Sequence, residues 1–417
     1  MVPDRVNISR AANLAMFAGL ALLLLIPYPG NLINFLVRDG TLAAAHEVLQ
    51  NATLSLSFSM LHAVGSGQSH TVMGTDGYPL VSLADFQVRI APSCAGYQGV
   101  LSSWLFLSIY LYLNRHMLNV PRCLIVLLMA GIAIFLLNAF RIATLLYIGA
   151  HGAPGIAANG FHSNFGALAL LIVTALAAGL MRTRYFRAPN SASVAGSAAR
   201  NSPAVVSELA RNLGLIRPLV VMLALSLAVG VTASEINWLY PLPVGVAALM
   251  VAVRWRGWLG LLAGTRPALP VVAGIACYLL WITLVSRDHD RELEMQGALN
   301  AAPVALAVAW IGLRMLGATL VVPLVEELAF RGGMAAIVRQ WTRDQLGEIG
   351  AIGAAVILPA IVFGLLHQNV IAAITAGLIY GWLRYTRAGL GGAVLAHGTT
   401  NCLLGLHVLL TGGWSYW

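Results

Sequence analysis

Long apolar stretches decide what this chain can fold into. Leu14–Ile26, Cys123–Phe140, Phe165–Met181 and Ala268–Val285 are nearly free of charge. Runs of about 18 or more such residues are long enough to cross the hydrocarbon core of a bilayer. There every backbone polar group must be satisfied internally, so these segments are helices. A lipid-facing barrel would instead show strands of alternating polarity, and the runs here are continuous. Only 9% of the 417 residues are charged, against roughly a quarter in a soluble domain. Most of the surface therefore faces lipid. The expected fold class is all-α: a polytopic integral membrane protein of two transmembrane helical bundles, with the lipid bilayer as its first partner.

The net charge of +9 does not indicate nucleic acid. The basic residues sit in short segments between apolar runs, mainly Arg182, Arg184, Arg187, Arg200, Arg211 and Arg217, as cytoplasmic loops are written. The four cysteines, Cys94, Cys123, Cys277 and Cys402, form neither a disulfide spacing nor a CxxC pair. The first apolar run lacks a small-residue cleavage site and reads as a retained helix. A polar stretch rich in Ser, Ala, Asn and Arg at 182–217 reads as a flexible cytoplasmic linker. It separates an N-terminal unit, 1–181, from a C-terminal unit, 218–417, with no repeat between them.

In the first unit, helices are expected near 11–29, 98–113, 123–149 and 162–181. The stretch 41–63 has the polarity of an interfacial segment, and Phe86–Ile90 alternates like a short strand. In the second, apolar runs fall at 218–233, 239–253, 268–286, 301–320, 349–366, 370–384 and 390–412. Arg254, Arg256, Arg384 and Arg387 mark cytoplasmic turns, and Trp414 and Trp417 read as interfacial anchors.

This topology carries three residues to one outer face. Cys94 lies in Pro92-Ser93-Cys94-Ala95-Gly96 before a helix that starts outside. Arg141 lies toward the outer end of the 123–149 run, and His162 opens the returning helix. A thiolate is the reactive form of cysteine, and a neighbouring imidazole can take its proton. An arginine at membrane depth is costly and marks a functional site; here it can hold an oxyanion. Most membrane cysteines are small apolar fillers, a description that suits Cys123, Cys277 and Cys402. A lone His or Arg at a helix end is usually only an anchor; the convergence of three is what points to chemistry.

The segments Pro-Ser-Cys-Ala-Gly-Tyr-Gln-Gly, Asn138-Ala139-Phe140-Arg141-Ile142 and Phe161-His162-Ser163-Asn164-Phe165-Gly166 resemble the exosortase family, over residues 11–181. The resemblance implies a bacterial membrane transpeptidase-like enzyme. Its cysteine, arginine and histidine fall on Cys94, Arg141 and His162. Its protein substrates would carry a C-terminal sorting tail: a short motif, a transmembrane helix and a basic cluster. The family's usual Ser or Thr after the cysteine is replaced by Ala95.

The second unit contains Glu326-Glu327-Leu328-Ala329-Phe330-Arg331, Phe363-Gly-Leu-Leu-His367 and His397-Gly-Thr-Thr-Asn401. On a helix Glu327 and Arg331 share a face, while Glu326 points about 100° away. His397 and Asn401, also four apart, aim at one point. A carboxylate with an imidazole can activate water, and His with Asn can donate to an oxyanion. Glu with two His is also a zinc set, although HExxH is absent. A polar packing network or a proton path in a transporter would use similar residues.

The pattern EExxxR, FxxxH, HxxxN resembles the CPBP intramembrane protease family, also called CAAX-protease-like or Abi proteins, over residues 300–410. It implies a metal-independent glutamate protease without a cofactor. In it Glu326 and His367 activate water, His397 and Asn401 form the oxyanion hole, and Glu327 and Arg331 support the geometry. The two halves in this order resemble the exosortase E/protease fusion type. That type implies the inner membrane of Gram-negative bacteria, exopolysaccharide-associated protein sorting, and tails beginning Val-Pro-Glu-Ile-Asp. Two alternatives stay open: a CPBP-type protease with a non-catalytic membrane domain, and a transporter.

Overall fold

The structure, a computed structural model, describes residues 43–66, 69–74, 78–90, 96–188, 203–254, 260 and 266–417. The run expected near 11–29 and Cys94 lie outside the described residues. Two compact units emerge: residues up to Asn201 with Gly230–Ser234, and Ser202–Val229 with Glu235–Trp417.

The first unit begins with α1, Ala43–Ala63. Its buried Leu54 and Leu61 pack with Ile142, Ala143 and Leu146, and Ser57 Oγ donates to Ala139 O at 2.9 Å. Helix α1 is therefore packed against its neighbour rather than lying alone at an interface. An antiparallel meander follows: β1, Ser69–Met73; β2, Pro79–Leu83; β3, Phe86–Arg89. The alternation at Phe86–Ile90 is thus a strand, joined by two more. Then come α2, Tyr97–Asn114, and α3, Val120–Ala150. Helix α3 is started by Asn119, whose side chain accepts from Arg122 N, with Pro121 in its first turn. A π-helical turn, Ile156–Phe161, leads into α4, His162–Met181.

At one end of this unit, Arg122 Nη1 donates to Tyr185 O at 2.7 Å and Asn119 N donates to Phe186 O at 2.7 Å. The α2–α3 turn and the end of α4 therefore share an arginine-rich end. Arg141 lies about 30 Å further along α3, where the sheet packs. A Cβ on Gly149 would strike the Phe86 ring at 2.2 Å, so glycine is what lets the sheet sit on α3.

The second unit runs α5, Pro203–Gly230; α6, Pro241–Ala252; α7, Ala268–Leu284; and α8, His289–Ala301. Next come α9, Val304–Leu316; a π segment, Gly317–Val321; α10, Val322–Glu327; and a second π segment, Leu328–Met334. Helix α11, Ala335–Leu365, is broken at Gly347, where φ is +68°; Arg339 and Arg343 both clasp Glu348 just beyond. Helices α12, Val370–Arg384, and α13, Gly389–Thr411, complete the bundle. The segment read as a flexible linker is structured in part. Arg184–Phe186 forms a turn of 3-10 helix, and residues from Pro203 onward belong to α5, because Leu215, Ile216 and Leu219 are buried.

Among the described residues, five helical stretches are long and apolar enough to cross a membrane: Val120–Ala150, Ile156–Met181, Glu208–Gly230, Val304–Leu365 and Gly389–Thr411. The pair α7 and α8, bent by 110°, makes a sixth if counted as one broken span. The chain is an all-α, multi-pass membrane protein. In lipid, helices associate through close packing of small residues rather than hydrophobic exclusion. Gly274 shows this: a Cβ there would lie 2.5 Å from Ala396 O, so α7 and α13 touch backbone to backbone.

Candidate functional site

In the second unit α10, α11, α12 and α13 bring a buried ionic cluster together. Glu327 is fully buried and Arg331 is 2% exposed. Arg331 Nη1 donates to Glu327 Oε1 at 2.9 Å, and Nη2 donates to Gly377 O at 2.9 Å. His397 Nδ1 donates to the same Glu327 oxygen at 3.0 Å. One carboxylate oxygen thus ties α10 and the π segment after it to α13, and Arg331 extends the tie to α12. The Arg331 guanidinium lies 4.8 Å from the Phe363 ring centroid and 5.6 Å from those of Phe330 and Tyr380, and such ring faces stabilise a desolvated cation. Tyr380 stacks on His397 at 4.8 Å. Its hydroxyl donates to Thr400 Oγ1, and Thr400 donates to Gly274 O. The ring of His397 is therefore fixed by its plane and by one nitrogen.

Glu326 differs from its neighbour. It is 8% exposed, and neither of its oxygens takes a hydrogen bond among the described residues; like Glu327 Oε2, its own Oε2 is buried without a partner. That oxygen stands 3.8 Å from His397 Nε2, too far for a direct hydrogen bond and suitable for a water that touches both. His367 Nδ1 donates to Phe363 O at 2.7 Å, which leaves Nε2 as an acceptor. The Phe363 ring lies 4.4 Å from the His367 ring and 5.7 Å from that of His397. Asn401 lies one turn beyond His397, but one of its amide hydrogens goes to Ala318 O at 2.9 Å, in the first π segment. Its second N–H remains for a ligand. Among the described residues no group of three or more His, Cys, Asp or Glu is arranged to hold a metal ion.

Burial grades along this cluster. Arg331 and Glu327 are sealed, whereas His367 and Asn401 are half-buried. The sealed end is the one with Arg384, whose Nε donates to Arg331 O at 3.3 Å. The open end carries the α11–α12 turn, α8 and the C-terminal tryptophans. Those tryptophans are packed rather than isolated anchors: Trp417 meets Trp310 at 6.1 Å and Trp414 at 5.6 Å.

In the first unit Arg141 and His162 lie within electrostatic reach of each other. Gly166, one turn into α4, makes the room: a Cβ there would sit 2.7 Å from Arg141 Nη1. Arg141 Nε is buried without a partner. Gly96, two residues after Cys94, packs on Asn138 and Phe135 of α3, where a Cβ would meet Asn138 Nδ2 at 3.0 Å. Asn164 Nδ2 donates to Gly160 O and Gly230 O. Sequence reasoning passed over Tyr380, Thr400, Tyr240 and Arg314. Only Arg314 carried a signal, a charge deep in an apolar run.

Two family models match the chain. Residues 9–179 match the transmembrane exosortase model, and residues 308–403 match the type II CAAX prenyl endopeptidase Rce1-like model. The first span contains Cys94, Arg141 and His162; the second contains Glu326 through Asn401. Both matches support a peptidase activity, in a multi-pass membrane protein of the protease and sorting class. The exosortase match precedes the CAAX-protease match along the chain. No curated protein and no solved structure matches it.

Proposed function

We propose that the chain is an inner-membrane protein-sorting enzyme with two peptide-cleaving sites. The first cleaves C-terminal sorting tails of the Val-Pro-Glu-Ile-Asp type, and the second is a glutamate intramembrane protease. The observation that carries the second role is the unequal treatment of the adjacent glutamates: Glu327 is bonded to Arg331 and His397, while Glu326 Oε2 is buried, unbonded and 3.8 Å from His397 Nε2.

In the second site a water held by Glu326 and His367 Nε2 gives its proton to the Glu326 carboxylate as its oxygen attacks the peptide carbon. The electrons displaced onto the carbonyl oxygen are met by the free N–H of Asn401 and by His397 acting as an imidazolium, with Nδ1–H on Glu327 and Nε2–H on the oxyanion. Collapse breaks the C–N bond, and the amine takes the proton from Glu326. Glu327 keeps His397 oriented and offsets Arg331. The mechanism requires no metal.

In the first site His162 takes the Cys94 thiol proton, the thiolate attacks the tail's peptide carbonyl, and Arg141 faces the oxyanion. The amine leaves with the proton from His162. Water or an acceptor nucleophile then opens the thioester. Support comes from Arg141 beside His162 and from Gly96 packed on the turn of α3 that precedes Arg141.

The test is a reporter with a Val-Pro-Glu-Ile-Asp segment, a transmembrane helix and a basic tail, followed in isolated membranes. Cys94→Ala should block the first cut, and Glu326→Gln should leave a fragment untrimmed. If the first cut survives Cys94→Ala and stops with Glu326→Gln, the protein is a glutamate protease with a non-catalytic membrane domain.

A further inference from the structure

Toward the open end of the second unit lies a cation that the proposed mechanism does not use. Arg314 is in the last turn of α9, inside an apolar run. A charge at that depth needs a partner. Its guanidinium lies 4.2 Å from the Tyr240 ring centroid and 5.9 Å from that of Trp417. Among the described residues no carboxylate pairs with it, and its Nε is buried without a hydrogen-bond partner. A second cation, Arg291 of α8, is near enough to act on it. Arg291 Nη1 also donates to Gln368 Oε1 at 3.3 Å, beside His367. Other charges at this end are already engaged: Glu292 is bonded to Arg287 and Ser415, and Asp288 caps α8.

Tyr240 links this cation to the candidate active site. Glu326 acts electrostatically on the Tyr240 hydroxyl, and Gly317 opens the space for it, since a Cβ there would stand 2.9 Å from that hydroxyl. Arg314 and Glu326 are separated by about 18 Å along the helical run. An extended peptide covers that in about five residues. Tyr240, Arg291 and Trp417 lie outside the 308–403 match, while Arg314 lies within it.

We propose that Arg314 and Tyr240 form a carboxylate-binding subsite that selects peptides carrying a negative charge within a few residues of the bond cleaved at Glu326. The proposal rests on the protease reading of that site. A guanidinium stacked on one aromatic face keeps its donor edge free for a carboxylate. The charge comes either from an acidic side chain or from the peptide's own C-terminus.

The test uses the full chain in lipid nanodiscs, with Cys94→Ala as background to silence the first site. Three reporters share one transmembrane segment. One ends in a free carboxylate without acidic side chains, one is amidated with a single glutamate near the cut, and one is amidated with glutamine instead. The protein should cleave at least one charged reporter about 10- to 100-fold better in kcat/KM than the neutral one, mainly through KM, as a charge-assisted hydrogen bond allows. Arg314→Met should abolish that preference, bringing the charged reporters down toward the neutral one; Arg314→Lys should retain part of it. Which charged reporter responds identifies the source of the carboxylate. Absence of any preference, or equal loss on charged and neutral reporters with either variant, overturns the subsite and makes Arg314 a packing residue. Glu326→Gln separates the two claims: if it still cleaves all three, the protease reading falls, and a lost activity with an unaltered charge preference in the Arg314 variants overturns the subsite alone.

Discussion

Replacing either of two adjacent glutamates by its amide should produce opposite phenotypes. Glu327→Gln removes the charge that holds Arg331 at 2.9 Å and His397 at 3.0 Å, in a site where Glu327 has no exposure. Removing one partner of a buried pair leaves an uncompensated charge and costs about 3–5 kcal/mol. Arg331→Met, which keeps the side-chain volume among Phe330, Phe363 and Tyr380, should cost a similar amount by stranding Glu327. The double variant strands neither, so its loss should fall short of the summed single losses by about 1–3 kcal/mol. Glu326→Gln removes a carboxylate whose Oε2 has no partner, so stability should stay within about 1 kcal/mol of the parent or rise. Cleavage at the second site should drop by about 100- to 10,000-fold, the range for loss of a general base. Equilibrium unfolding in mixed micelles, read by tryptophan fluorescence, measures the first quantity, and reporter cleavage at matched folded fraction measures the second. Additive losses in the Glu327–Arg331 cycle, or a Glu326→Gln protein as unstable as Glu327→Gln, would refute the division of roles.

Three further outcomes follow from the packing. Gly274→Ala puts a Cβ 2.5 Å from Ala396 O and should destabilise the second unit by about 1–3 kcal/mol, seen as an earlier unfolding midpoint; no shift would mean α7 and α13 are not in backbone contact. Gly166→Ala should push the Arg141 guanidinium aside and lower tail cleavage, while Cys123→Ala leaves cleavage intact; equal effects of the two on the first cut would remove Arg141 from that site. Outside the spans, the Arg287 hydrogen bond holds the Glu292 carboxyl at about 2, below its ordinary 4.5. A depressed acid contributes stability that is complete above its unfolded value and lost as pH falls through its folded one. Glu292→Gln should therefore flatten the loss of stability between pH 4.5 and about 2, and an unaltered acid limb in the unfolding curve would count against the pair.

Much of this was legible in the residues, and the limits have physical causes. The spacing of Glu327 and Arg331 calls for one shared helix face, and the structure shows that bond. The bond from His397 to Glu327 spans 70 residues and needs α13 seated against α10, which no local pattern states. His397 and Asn401 were expected to aim at one point. Instead an amide hydrogen of Asn401 is taken by Ala318 O, inside a π segment whose register a 3.6-residue count cannot anticipate. Strands β1 and β2 were missed because five residues in a polar stretch carry too little alternation to stand out.

The two π segments bear on why the glutamates diverge. Consecutive residues on a helix point about 100° apart, so the two carboxylates reach His397 from different sides, Glu327 at Nδ1 at 3.0 Å and Glu326 at Nε2 at 3.8 Å. With α10 held between Gly317–Val321 and Leu328–Met334, Glu327 turns into the sealed side toward Arg331 and His397. Glu326 turns toward His397 Nε2, 3.8 Å away. The pair is thus one structural anchor and one unbonded acid, set apart by a single residue step. A polar packing network would have bonded both, because an unmatched buried carboxylate oxygen costs stability. Glu327 leaves its Oε2 unmatched but takes two hydrogen bonds on Oε1, whereas neither oxygen of Glu326 takes one among the described residues; that difference is the strongest reason to read the cluster as chemistry.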